Sequence, residues 1–232
     1  MYFYLISVFC CLFSISCVSA RVLEFVTENA PPLQYIDKGK VVGKTTTFIN
    51  QVTKNSNFKA DIKILPWARA YQTALTQKNI FIYPLVRTAE REDNFIWIGK
   101  IYTLKLSWAK LKSRTDVSIN NPEDAKNYKT GVIRADATYN YLIKNGFIKN
   151  DNFIVVSELP LLLELLYSEK IDSFIVDITL LKEMAVLKGY DAHQLVSEFD
   201  IPKLNYHLYL ATNLNTDPVL IEKLKNSLHG IN

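Results

Sequence analysis

The chain has 232 residues, with 27 Lys and Arg against 23 Asp and Glu, and its net charge of +4 is spread without any basic block. That length accommodates two small domains or one large one, and the even spread of charge excludes a nucleic-acid or membrane patch built from clustered Lys and Arg. All three cysteines, Cys10, Cys11 and Cys17, fall before residue 21, so a chain cut there has no disulfide, no thiolate nucleophile and no cysteine metal site.

Residues 1–20, MYFYLISVFCCLFSISCVSA, contain no charged side chain and end in Val18-Ser19-Ala20, the small-residue pattern of a secretory signal. Cleavage after Ala20 is the expectation. An uncleaved anchor is the alternative, because the stretch is close to the ~20 residues that span a bilayer. A lipoprotein reading through Cys17 is weaker, since Ser14 stands where an aliphatic residue is required.

From Arg21 onward, apolar periodicity alternates between strand and helix. VLEFVTE predicts a strand that breaks at NAPP, where two prolines remove ladder donors. Phe48, Ile49 and Val52 carry helical spacing over 45–55, ADIKILP is a strand, WARAYQTALTQK a helix and NIFIYPL a strand again. This βαβαβ order favours a parallel sheet covered by helices. NFIWIG and the long alternating run IYTLKLSWAKLK follow, and NNPEDAKNY marks a helix start.

A second α/β series comes next. TGVIR is a strand and DATYNYLIKNGF a helix with Asp136 as N-cap and Gly146 at its end. Strand NFIVV, a helix over ELPLLLELLYSEK capped by Ser157, strand IDSFIVD and helix ITLLKEMAVLKGY complete the series. LNYHLYLAT is a late strand, and TDPVLIEKLKNSLHG a closing helix with Pro218 in its first turn and Gly230 at its end. The expected architecture is α/β and two-lobed, with two mostly parallel sheets and flanking helices joined by two crossover strands. Lobe 1 takes 21–103 plus 204–232, lobe 2 takes 104–203, and residues 1–20 form the signal. Ligands of such folds bind in the crevice at the carboxyl ends of the strands.

Four segments in this order and spacing, TENAPPLQY with Gly39 and Gly43 after it, TAERED followed by FIWIG and IY, KNYKTGVIRADATYNYL, and SEKIDSFIVD before a helix, resemble the family 3 bacterial solute-binding proteins. These are periplasmic amino-acid receptors with the type II periplasmic binding protein fold. The similarity runs over the whole chain after the leader. It implies a periplasmic, monomeric protein without cofactor or metal, which captures a small, polar, carboxylate-bearing solute and hands it to an inner-membrane ABC permease or signals to a sensor receptor.

The resemblance also assigns residues. Arg91, in the TAER segment, matches the arginine that forks the ligand carboxylate, whereas an exposed ion pair with Glu90 or Asp93 is its ordinary alternative. Arg87 matches no ligand residue. Asp177 resembles the carboxylate that receives the ligand ammonium and is equally placed to be a plain helix N-cap. Arg134 and Thr138 resemble residues that close on the ligand. Tyr35 and Trp67 are candidate aromatic walls or core residues, and Glu28 faces either the cleft mouth or solvent. One departure stands out: the G-x-T that cradles the ammonium is replaced by Pro84-Leu85-Val86.

Enzymatic readings have little to stand on. His193, His207 and His229 lack ligand spacing, and there is no G-x-S-x-G elbow or phosphate-cradling loop. A dehydratase-like use of Asp177 or Glu28 on the same fold is the different-class alternative.

Overall fold

The computed structural model describes residues 20–204, 206–229 and 231. Residues 1–19, with the three cysteines and most of the expected signal, and the expected helix end at Gly230 lie outside the described residues. Strand β1 (Arg21–Thr27) runs parallel to β4 (Phe58–Ile64) on one side and β5 (Ile80–Val86) on the other. Helices α1 (Lys44–Asn55) and α2 (Trp67–Thr76) make the crossovers. A short hairpin, β2 (Tyr35–Asp37) with β3 (Lys40–Val42), is inserted after β1. Three-residue strands are too brief to set up a period, so no local pattern announces the hairpin.

Gly43 ends this hairpin and precedes α1 with φ of +117°, a conformation that side-chain-bearing residues avoid. A Cβ there would lie 2.3 Å from the Leu33 carbonyl oxygen. Gly43→Ala is therefore expected to destabilise the fold by ~1–3 kcal/mol, read as a lowered midpoint of thermal unfolding. An unchanged midpoint would mean that the hairpin shifts freely.

Strands β6 (Phe95–Thr103) and β12 (His207–Asn213) complete the first sheet in the order β4-β1-β5-β12-β6, with β12 antiparallel to both neighbours. Pro84 sits inside β5, where a ladder donor would ordinarily be needed. The pairing steps from Leu85↔Tyr209 to Ile82↔Ala211, so the strand bulges there and the absent N–H costs no rung.

The second sheet has the order β11-β7-β10-β8-β9, built from β7 (Leu106–Leu111), β8 (Thr130–Ile133), β9 (Phe153–Val156), β10 (Ser173–Asp177) and β11 (Leu195–Asp200). Its parallel core is β10-β8-β9, and β7 is antiparallel to its two neighbours. In each sheet one strand opposes the rest, as the mostly parallel expectation required. Flanking helices are α3 (Pro122–Ala125), α4 (Ala137–Lys144), α5 (Leu159–Tyr167), α6 (Ile178–Leu187) and α7 (Pro218–His229).

Capping follows the sequence at two of three positions. Asp136 accepts from the Ala137 N–H at 2.6 Å to start α4, and Asp177 accepts from Thr179 and Leu180 to start α6. Ser157 does not cap α5. Glu158 occupies the N-cap without a side-chain bond, and Pro160 at the second helical position has no N–H for a cap to satisfy.

The extended run expected over 101–112 divides at Leu104-Lys105, so that β6 and β7 belong to different sheets. The chain returns through 201–206. The two crossings are tied together, Leu104 N–H donating to Tyr206 O at 2.8 Å and Ile201 N–H to Leu106 O at 2.9 Å. Each sheet has its own apolar core, around Phe25, Phe81 and Leu224 in the first and around Trp108, Leu142 and Phe153 in the second. A further cluster spans both, placing Val26, Trp67 and Ile82 in continuity with Ile133, Leu163 and Phe174.

Candidate functional site

The carboxyl ends of the parallel strands converge on one cavity of ≈ 120 Å³ between the sheets. From the first sheet, Glu28 follows β1, Trp67 follows β4, and Val86 ends β5. From the second, Asp136 follows β8, Leu159 follows β9, and Asp177 ends β10. This is where a sheet that reverses its strand order leaves room for a ligand. Helix α6 adds Leu180, Leu181 and Met184, and the return crossing adds Tyr206.

Among the residues that line the cavity, the ionisable acids are Glu28, Asp136 and Asp177, and no Lys or Arg is present. The three are not equivalent. Asp136 accepts from the Ala137 N–H and from the Thr138 hydroxyl at 2.7 Å. Asp177 accepts three backbone N–H groups, from Thr179 at 3.0 Å, Leu180 at 3.3 Å and Lys105 at 3.0 Å. It thus caps α6 and fastens the crossing at the same time. Glu28 is half-buried as a residue, but its Oε2 is enclosed with no hydrogen-bond partner. Burial raises its pKa to about 8, with the Asp136 charge pushing the same way and Arg91 opposing.

Arg91 and Arg87 have different surroundings. Arg91 is 4% exposed. Its Nη1 donates to Val86 O at 3.1 Å and its Nη2 to Ala135 O at 3.3 Å, and its guanidinium lies 5.4 Å from the Trp67 ring and 5.1 Å from the Tyr71 ring. Arg87 is exposed, donates from Nε to Glu92 at 2.7 Å and stacks over Trp97 and Tyr209. Arg91 makes no ion pair with Glu90, which pairs instead with Lys144 on α4, and it is Arg87 that holds an exposed ion pair, with Glu92.

Several contacts cross between the sheets. The Trp67 indole Nε1 donates to Ala135 O at 3.1 Å, so Trp67 and Arg91 of one side share a carbonyl of the other. Lys44 at the start of α1 pairs with Glu183 on α6 at 2.7 Å. Ala135 itself has φ of +60°, which turns the backbone between β8 and α4.

Of the expected site residues, Glu28, Trp67, Thr138 and Asp177 line the cavity together. Arg91 lies behind the wall, its charge reaching Glu28 and Tyr206. Arg134 is exposed, and Tyr35 is half-buried in β2 against Val42; neither contributes to the lining. The sequence reading missed Gln34, 0% exposed, whose Oε1 accepts from Thr45 at 2.9 Å while its Nε2 has no partner. It also missed Tyr206, whose pKa burial pushes up to about 12. Gln34 stood within TENAPPLQY, but nothing local says which polar residue of a motif turns inward.

No protein-family model matches the chain, and no curated protein matches it by sequence. Solved structures match along nearly its whole length. An ancestral arginine-binding protein bound to arginine superimposes with a TM-score of 0.79 at 17% identity, over 92% of this chain and 93% of that one. Holo ArgBP from T. maritima gives 0.76 at 15% identity over 90% of each chain. A histidine kinase sensor domain with similarity to periplasmic binding proteins gives 0.79 at 13% identity, over 92% and 91%. The chain has the two-lobed type II periplasmic binding protein fold. Its structural neighbours are arginine-binding and amino-acid transporter substrate-binding proteins together with that sensor domain.

Proposed function

We propose that this is an exported solute-binding protein that closes its two lobes, 21–103 with 204–232 and 104–203, over one small amino-acid-like solute. The observation that carries the reading is the cavity, walled by strand ends of both sheets and bridged by Trp67 and Arg91 onto the Ala135 carbonyl. Closure needs no chemistry from the protein and no cofactor. The solute carboxylate is assigned to Arg91, which lies behind the wall in this arrangement and reaches the solute through the three of its five donors that its two carbonyl bonds leave over, once the Ala135 contact between the lobes opens. Trp67 and Thr138 shape the cavity beside it. Asp177, already committed to three backbone amides, is a positioning residue, which also makes it a poor base for a dehydratase-like reaction.

The partner is an ABC permease of the inner membrane, with the protein itself monomeric and periplasmic after cleavage at Ala20. The likeness to a sensor domain favours docking to a signalling receptor as the second reading. The test is mass spectrometry of small molecules released when natively exported protein is denatured. About one low-mass solute per chain is expected. Release of none, with no rise in unfolding temperature across a broad metabolite screen, would defeat the reading.

A further inference from the structure

The apolar character of the cavity narrows the solute beyond the amino-acid-like reading, on which this inference rests. Ile133, Leu159, Leu180, Leu181 and Met184 face the same space as Glu28. Two of the three lining acids have their carboxylates engaged by backbone amides or a hydroxyl. Only Glu28 presents an enclosed oxygen without a partner, and a buried polar atom of that kind calls for a complementary donor. We propose that the solute carries a single cationic group, an ammonium set against the Glu28 carboxylate, and an aliphatic body set against Leu180, Leu181 and Met184; an aliphatic α-amino acid is the simplest such molecule.

A second cation has no place to go. A guanidinium brings five N–H donors, and beside the leucines and Met184 most of them would be stripped of water without an acceptor. An aliphatic side chain loses nothing on entering such a wall and gains from leaving water. The replacement of G-x-T by Pro84-Leu85-Val86 fits the same division, since Pro84 and Val86 line the cavity with carbon and the ammonium falls to Glu28. Arg91, behind the wall, lies close enough to Glu28 for its charge to oppose the rise in the Glu28 pKa, so both charges of an amino-acid head have a counterpart on that side of the cavity.

The pH dependence of binding follows from the groups around Glu28. Asp136 ahead of α4 and Glu158 ahead of α5 favour its protonated form, Arg91 after β5 opposes them, and Tyr206 on the return crossing shares the cavity. Glu28 is neutral at pH 6 and must ionise to pair with an ammonium. Affinity is expected to rise by up to tenfold per pH unit between pH 6 and about 8.

The test is titration calorimetry of stripped wild-type protein with L-leucine, L-arginine and L-glutamine at pH 6, 7 and 8, repeated on Glu28→Gln. L-Leucine is expected to bind at least 100-fold more tightly than L-arginine. Glu28→Gln, which keeps the side-chain shape, is expected to weaken it at least tenfold and to flatten the pH profile, with circular dichroism and the unfolding midpoint reporting that the variant is folded. Tighter binding of L-arginine or L-glutamine, or an unchanged leucine affinity and pH profile in the variant, overturns the assignment while leaving a solute-binding protein. If none of the three binds, the natively co-purified solute decides: lack of an amine or of an aliphatic body in it overturns the assignment. Absence of any solute defeats the broader reading instead.

Discussion

The ligand-free protein is expected to lose stability as pH rises from about 5 to about 8, and Glu28→Gln to remove most of that slope. The Glu28 pKa is raised in the folded chain from 4.5 to about 8 by burial, with Asp136 adding to the shift. Between those values the folded state holds a proton that the unfolded state has released, so unfolding becomes easier with each increment of pH. Integrated over the window, linkage bounds the loss at ~5 kcal/mol, a figure that relaxation around Glu28 reduces. Glu90 and Asp116, held down to about 2 by hydrogen bonds from Lys144 and Arg114, titrate below the window and do not mask it. Denaturant unfolding of both proteins at pH 5, 6.5 and 8 measures the effect. Parallel curves for wild type and variant would show that Glu28 ionises freely in the fold.

Arg91→Ala is expected to be the most damaging single change at the site, with a loss of ~2–5 kcal/mol in binding of a carboxylate-bearing solute. Two effects add. The solute anion loses its fork, and the Val86 and Ala135 carbonyls lose their donors in a buried setting. The second effect also appears without ligand, as a loss of ~1–3 kcal/mol in stability. Lysine is expected to restore little, since a point ammonium can neither span two carbonyls in a planar fork nor stack between Trp67 and Tyr71. Arg87→Ala is expected to cost below about 1 kcal/mol in either measurement, because its ion pair with Glu92 is solvent-exposed and its ring partners Trp97 and Tyr209 are only half-buried. Calorimetry and thermal unfolding on the three variants settle the order. A larger loss for Arg87→Ala than for Arg91→Ala would reverse the assignment.

Local pattern carried the fold a long way. Period-two alternation marked β1 and β4, 3.6-residue spacing marked α1 and α2, and Asp136 and Asp177 announced helix starts by chemistry that acts within a turn. The signal failed where the deciding contact is distant. Strand β11 reads as polar, LVSEFD, with Ser197 and Asp200 exposed, and this edge strand is a strand through its pairing with β7. The run over 101–112 divides because Leu104 and Ile201 exchange hydrogen bonds with segments a hundred residues away.

The site was legible only in outline for a related reason. The resemblance to the solute-binding family put forward Glu28, Trp67, Thr138 and Asp177, and these four line the cavity at or just after strand ends, where the fold fixes direction. Which acid retains a free oxygen depends on three-dimensional neighbours. Asp177 is spent on Lys105, Thr179 and Leu180, and Glu28 is not. Similarly, α6 reads as a generic amphipathic helix, and only its seating against β10, with Leu180 packed on Val86 and Leu208 of the first sheet, makes Leu180, Leu181 and Met184 a cavity wall.

Closure of the two lobes over a solute changes one readily measured distance. No cysteine follows Cys17, so in protein that begins at Arg21, Lys44→Cys with Glu183→Cys places nitroxide labels on two residues that form an ion pair across the cleft. Pulsed electron resonance on this pair, with the solute recovered from native protein and after its removal, is expected to give a narrow short distance with solute. A broader distribution with a longer component is expected without it, as a shift between lobe arrangements requires. Superimposable distributions, with calorimetry confirming that the labelled protein still binds, would contradict the account.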